Sequence, residues 1–311
     1  MRLLRFAGIG ICLVGLIYFA LAIVRSPETV GRIVSEPTFG SALVLATICT
    51  FVSLVCASIG WQLLLSMFGG RRPLMLVCSI FLATQIGKYV PGNIGHLVGR
   101  AAMLKANDVP VGASSKAMLV EMVMLLATGV VLVVVFMSHW FLAVLGDVAS
   151  RISITFMTSA LAIFSATAIF AAARFRERLK HFLWQLRVDL IASRKRLAAI
   201  AMIDLGCFTL NGLALFAAAR LLFPETAVGF VACLGVATAS FLAGYVTPGA
   251  PGGIGVREAT TILLLEPSVA ANEAALVALA VRLAATAADL IGFFVGTVVL
   301  RHRKSRAPRE S

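Results

Sequence analysis

Long apolar stretches separated by short polar ones dominate the pattern of this chain. They run at about 3–24, 40–66, 74–90, 114–137, 152–173, 198–222, 227–247 and 274–300. Two shorter apolar pieces, about 94–104 and 254–265, each follow a proline–glycine break. Most of the long stretches reach the roughly 20 residues that an α-helix needs to cross the hydrocarbon core of a bilayer. At that depth no water bonds the backbone N–H and C=O groups, so each stretch must satisfy them internally, as a helix does. The pattern therefore predicts an all-α polytopic membrane protein.

Composition narrows the reading. Of 311 residues, 60% are apolar and 13% charged, and the mean hydropathy is +0.99. A soluble domain has too little interior for so much apolar surface. The net charge of +13 raises the question of nucleic acid. The basic residues sit at the ends of apolar segments rather than among aromatics on one face, so nucleic acid is not expected as a partner. The first stretch has no small-residue cleavage site before Arg25 and is read as a retained span. Cys12, Cys49, Cys56, Cys78, Cys207 and Cys233 all fall inside apolar segments without metal-ligand spacing. They are expected to be small membrane-helix residues, and no metal or cofactor is expected.

Positive charge sets the orientation. Arg2 and Arg5 precede the first segment, Arg71 and Arg72 follow the second, and the loop 174–196 carries eight basic residues against Glu177 and Asp189. The tail 301–311 is basic as well, whereas 223–226 and 266–273 carry only acids. Both termini and the 174–196 loop are thus expected in the cytoplasm of a bacterial inner membrane. Arg100, Lys105 and Lys116 fall on the same side as Arg71 and Arg72, so the stretch between them would enter and leave on one side. The same holds for 227–265, from the opposite side. Two re-entrant or broken helical hairpins and six full spans result; eight complete spans remain the alternative.

The two halves match. Residues 91–95 read Pro-Gly-Asn-Ile-Gly and residues 251–255 read Pro-Gly-Gly-Ile-Gly, each followed by an arginine, Arg100 or Arg257. The four segments of repeat 1 (about 1–145) map onto those of repeat 2 (about 150–303) and cross in the opposite sense. This makes one transmembrane domain with an inverted repeat. In such folds, interrupted segments in matching positions point to the binding site.

The breaks also carry the chemistry. Proline and glycine free backbone groups at membrane depth, tolerated only where they are buried in protein or line a wet cavity. A helix restarting after Gly95 presents a positive N-terminal end to an anion, with Lys88 and Arg100 adding formal charge. At the second break Arg257 and Glu258 point to different helix faces. Arg257 is expected to meet an anion or a carboxylate of the other hairpin, and Glu258 one of Lys88, Arg100 or Arg282. Glu121, Arg282 and Asp289 lie inside apolar segments and should face the bundle interior as a charge network or proton path. Asp204 and Asn211 are read as glue between helices, and His96 as a local hydrogen-bonding residue. No catalytic constellation stands out.

The strings KYVPGNIGHLVGR (88–100) and TPGAPGGIGVREA (247–259) resemble the two signature regions of the lysylphosphatidylglycerol synthase transmembrane-region family, flippase-like membrane proteins. The resemblance covers essentially the whole chain. It implies movement of a lipid with a charged or sugar-bearing headgroup between leaflets: an aminoacyl-phospholipid, a hopanoid-type lipid or a lipid-linked glycan. The matching positions, expected to bind substrate, are Lys88, Pro91, Gly92, Gly95, Arg100, Pro251, Gly252, Gly253, Gly255, Arg257 and Glu258. The soluble aminoacyltransferase domain of full-length synthases is not in this sequence, so no enzyme activity is expected. Partners are membrane lipids and the lipid substrate, with a homo-oligomer left open. A membrane-embedded lipid-linked transferase and a docking factor for a cell-envelope lipid enzyme are the alternatives.

Overall fold

The computed structural model describes residues 31, 35–90, 94–137, 189–247 and 250–306. The expected spans at 3–24 and 152–173, most of the basic 174–196 loop, the end of the tail, and Pro91 and Gly92 lie outside the described residues. The regular elements among them are all helices. In chain order they form α1 (Pro37–Met67), α2 (Leu74–Thr84), a 3-10 turn (Gln85–Tyr89), α3 (Gly95–Lys105) and α4 (Val111–Phe136). After the undescribed middle come α5 (Arg194–Leu222), α6 (Phe230–Val246), a second 3-10 turn (Pro251–Gly253), α7 (Val256–Leu265) and α8 (Ala271–Arg306). The order long, short, short, long occurs twice.

Four of these helices, α1, α4, α5 and α8, are long and apolar enough to cross a bilayer. Their outer faces expose Val44 and Ile48, Val131 and Val135, Phe294 and Val298. Side chains of that kind left outside the fold have lipid as their natural solvent, as in a polytopic membrane protein.

The two short pairs are hairpins. Gly99 lies against Thr84 and Gly87 against Gly95, so α3 returns along α2. Arg72, just before α2, donates from Nε to the Asn107 carbonyl at 2.8 Å and from Nη2 to that of Asp108 at 2.5 Å, just after α3. Entry and exit of the first hairpin are therefore neighbours, as the charges of Arg71, Arg72 and Lys105 predict. In the second hairpin Ser240 and Thr261 share a hydrogen bond of 2.8 Å between their hydroxyls, and Gly244 lies against Arg257. Val228 before α6 and Leu265 at the end of α7 belong to one buried cluster. The returning arms, 11 and 10 residues long, rise about 17 Å and 15 Å, far short of the roughly 30 Å of hydrocarbon. Each break therefore lies in a helical hairpin whose returning arm is shorter than a complete span.

The halves are inverted. Along the α1–α5 contact Gly60 meets Ile203, Ser53 meets Cys207, and Phe39 and Ala42 share a cluster with Leu215, Ala218 and Leu222. Residue numbers rise on one helix as they fall on the other, so these equivalent helices run antiparallel. Each closing helix packs on the other half's hairpin: α8 against α2, and α4 against α6. Two apolar clusters mirror this arrangement. One gathers Trp61, Leu64, Ile80 and Ala117 below the first hairpin, and the other Ala218, Ile262, Leu265 and Leu276 below the second.

Candidate functional site

At the first break α2 tightens into the 3-10 turn Gln85–Tyr89 before the chain reverses. Reversal at this spacing requires glycine: a Cβ on Gly87 would stand 2.6 Å from the backbone nitrogen of His96. The turn projects Lys88 and Tyr89 across to α8. The Lys88 ammonium lies 2.7 Å from one oxygen of Asp289 and 2.8 Å from the other, and the Tyr89 hydroxyl donates to the same carboxylate at 2.6 Å. Asp289 is only 3% exposed. Its charge at bilayer depth is tolerable because two donors from the opposite half converge on it.

Arg100, on α3, is 1% exposed. Its guanidinium carbon sits 4.1 Å from the centroid of the Phe81 ring and 4.5 Å from that of Trp61, and Nη1 reaches Glu121 of α4 at 2.9 Å. Aromatic faces and a carboxylate together replace the water that this cation has lost.

The second break turns through Gly252, Gly253 and Gly255, at φ of +57°, +74° and +83°. That left-handed path is cheap only for glycine. It aims the Gly252 carbonyl at Nη1 of Arg282, 3.1 Å away. The Gly255 N–H donates to Glu258 at 2.6 Å, so the carboxylate in the first turn of α7 satisfies one of that helix's free N–H groups. The other Glu258 oxygen stands 3.1 Å from Nε of Arg282. The tips of the two hairpins touch where Tyr89 packs on Gly252.

Two of these pairs occupy equivalent places with their charges exchanged. In the first half the hairpin supplies the arginine, Arg100, and the closing helix the acid, Glu121. In the second the hairpin supplies the acid, Glu258, and the closing helix the arginine, Arg282. Arg282 and Asp289, two turns apart on α8, thus serve different hairpins.

A cavity of about 250 Å³ opens between the halves. Lys88, His96, Arg100 and Glu121 line it from the first half, and Asp204, Asn211, Tyr245, Arg257, Glu258 and Arg282 from the second. Asp289 lies behind Lys88. Gly252 reaches the wall, whereas Gly95, Pro251, Gly253 and Gly255 shape the turns. Pro91 and Gly92 lie outside the described residues.

Two cavity charges have no opposite charge within 4.0 Å among the described residues. One is Arg257, whose guanidinium stacks over Phe241 at 4.4 Å. The other is Asp204. Arg257 therefore does not meet a carboxylate of the other hairpin among those residues; Lys88 crosses between the halves instead, to Asp289 on α8. Three arginines each keep a buried nitrogen without a hydrogen-bond partner: Nε of Arg100, Nε of Arg257 and Nη2 of Arg282. Buried donors of this kind call for a ligand or water.

Asp204 stands on the cavity wall. Read with Asn211 as glue between helices, it is not bonded to any described residue. Asn211 does join helices, donating to the Ser53 hydroxyl at 3.0 Å and the Cys207 carbonyl at 2.7 Å. A signal was present: an acid in a long apolar segment is itself grounds for suspecting a site. Among the described residues no group of histidine, cysteine or acidic side chains is arranged to hold a metal ion.

The sequence pattern of the lysylphosphatidylglycerol synthase TM region matches residues 5–292. No curated protein matches the chain.

Proposed function

We infer that this protein, which belongs to the lysylphosphatidylglycerol synthase TM region family, carries a polar-headed lipid between the leaflets of its membrane. The observation that carries the reading is Arg257. It is a cation on the wall of a cavity between two inverted halves, with no carboxylate beside it among the described residues and a buried Nε without a partner. The headgroup occupies the cavity while the acyl chains stay in lipid. Arg257, Arg282 and Arg100 line the cavity and supply cations for its anionic centre, and Lys88 adds charge from the first hairpin. An aminoacyl-phospholipid, a hopanoid-type lipid with a charged head and a lipid-linked glycan all carry groups that such donors hold. An inverted repeat supports the same reading, since two halves of similar structure can exchange conformations about a central site.

In this reading the protein translocates lipid and does not synthesise it. In the same reading it resides in a bacterial inner membrane with both termini in the cytoplasm, an orientation that the basic loop and tail favour.

The test is headgroup translocation in proteoliposomes, together with mass spectrometry of the lipids retained through gentle purification. Arg257→Ala and Glu258→Ala, each inserted and folded, are expected to abolish translocation and the enrichment of one polar-headed lipid. Unchanged translocation in both would sink the reading.

A further inference from the structure

Gln85 opens the 3-10 turn at the tip of the first hairpin. It is 8% exposed, and its side chain lines the cavity. Its amide forms no hydrogen bond with any described residue. Two donors and an acceptor left unused in so buried a place call for a partner that is not protein.

The second half supplies acceptors to the same cavity. Hydroxyls on these helices commonly spend their proton on a carbonyl one turn back, as Thr238 does on Leu234 and Thr260 on Val256. Ser240 instead meets Thr261 across the second hairpin at 2.8 Å. Thr261 has one proton and gives it to the Arg257 carbonyl, also at 2.8 Å. Ser240 is therefore the donor of the shared bond, and the lone pairs of its oxygen receive nothing from the described residues. Asn211, on α5, spends both amide protons on Ser53 and Cys207, which leaves its side-chain oxygen free in the same way. Ser240 and Asn211 both line the cavity.

We propose that Gln85, Ser240 and Asn211 form a subsite for hydroxyl groups, and that the head carried here is a polyol joined to the anionic centre held by Arg257. The subsite rests on the translocation reading and names the chemistry of its cargo. These three side chains are neutral and cannot balance a charge, so they favour an uncharged polar group over an ammonium. A hydroxyl donates and accepts at once. One hydroxyl takes a bond from the Gln85 Nε2, and its neighbour gives one to Ser240 or Asn211. Glycerol and a sugar ring both carry such adjacent hydroxyls. A head without them leaves buried polar groups unpaired, the arrangement that rejects an analogue most strongly.

The experiment uses the full chain in nanodiscs holding equal amounts of phosphatidylglycerol, phosphatidylinositol and phosphatidylpropanol with matched acyl chains. All three offer a phosphate; the first adds the hydroxyls of glycerol, the second those of a ring, and the third none. Lipid retained through detergent extraction is measured by mass spectrometry. Phosphatidylglycerol or phosphatidylinositol is expected to be enriched about tenfold over phosphatidylpropanol, and the leading one identifies the source of the hydroxyls. Gln85→Leu and Ser240→Ala are each expected to lower that ratio. Because the Gln85 amide has no partner among the described residues, the leucine variant should unfold at the wild-type temperature or above it.

Equal retention of the three lipids by the wild type overturns the subsite, and so does a ratio unchanged in both variants. Arg257→Ala run in parallel separates the failures. If it loses all three lipids while the wild type does not discriminate among them, only the subsite falls. If it retains them at the wild-type level, the translocation reading falls and the subsite with it. Should the variants not fold, the unmodified chain carries the test. Its thermal unfolding in detergent is expected to rise more with phosphatidylglycerol or phosphatidylinositol than with phosphatidylpropanol, and equal shifts overturn the proposal.

Discussion

Ser53 and Cys207 each donate a hydrogen bond to the other's backbone carbonyl, both at 3.3 Å. They lie on equivalent helices of the two halves, α1 and α5, 154 positions apart. The exchange joins positions that the expected repeat makes equivalent. It also explains why two apolar helices hold register at their centre: Asn211 adds a third polar contact at the same level. Lipid competes poorly for such groups, so a few polar contacts specify register where apolar packing alone does not.

Removing the serine hydroxyl tests that lock. Ser53→Ala deletes its own donor and one acceptor of Asn211, with an expected loss of about 1 kcal/mol. Cys207→Ala should cost less, because a thiol is a weak donor. Thermal unfolding of the purified variants in one detergent would show whether that order holds.

The Lys88–Asp289 bridge joins the first hairpin to the second half. Asp289→Ala would strand the Lys88 ammonium and the Tyr89 hydroxyl, with an expected cost of about 3–5 kcal/mol. Lys88→Met combined with Asp289→Leu replaces the pair by apolar volume and should recover most of that stability. If the bridge also positions the headgroup, the double variant will be stable and yet inactive in translocation. Melting temperature and proteoliposome transport, measured on the same preparations, separate the two roles.

Glycine spacing predicts a sharp contrast within one hairpin's neighbourhood. Gly87→Ala places a Cβ 2.6 Å from the His96 backbone nitrogen, where nothing can yield without opening the hairpin. Gly112→Ala, on α4, meets nothing within 4 Å and should be neutral or slightly stabilising, since alanine favours the helix by up to about 1 kcal/mol. Yields of monodisperse protein from the two variants are expected to diverge strongly; similar yields would mean that the hairpin closes differently.

Arg100→Lys keeps the charge yet loses the planar group that lies over Phe81 and Trp61. An ammonium in that place forfeits guanidinium stacking and the geometry of the contact to Glu121, so a loss of about 1–2 kcal/mol is expected. Glu121→Gln, which leaves Arg100 without its carboxylate, should cost more. The prediction fails if thermal unfolding ranks the lysine variant below the glutamine variant.

Much of this architecture is legible in the residues. The apolar segments locate α1, α4, α5 and α8 to within a few positions, because hydrocarbon thickness imposes a length on every span. The matched Pro-Gly strings locate both hairpins. The arginines at 71, 72 and 100 already place the entry and exit of the first on one side, and Arg72 bonds the carbonyls of Asn107 and Asp108 as that requires. Lys88, Arg100, Arg257, Glu258, Glu121 and Arg282 stand out as ionisable residues in apolar surroundings, and all of them line one cavity.

What the sequence determined by itself is thus the helical class, the membrane as solvent and the set of charges that must face inward. These follow from local rules: a span has a length, a break needs proline or glycine, and a charge in lipid needs a partner. Pairing was decided only by the tertiary structure, because it depends on which helix faces pack together across 200 positions of chain. Asp289 could have answered Arg282 on its own helix and instead receives Lys88 at 2.7 Å from the other half. Glu258 takes Arg282 at 3.1 Å. Those choices leave Arg257 and Asp204 as the cavity charges without an opposite partner among the described residues. No spacing along the chain could have revealed that, since it is a remainder, visible only after every other charge has been matched in space.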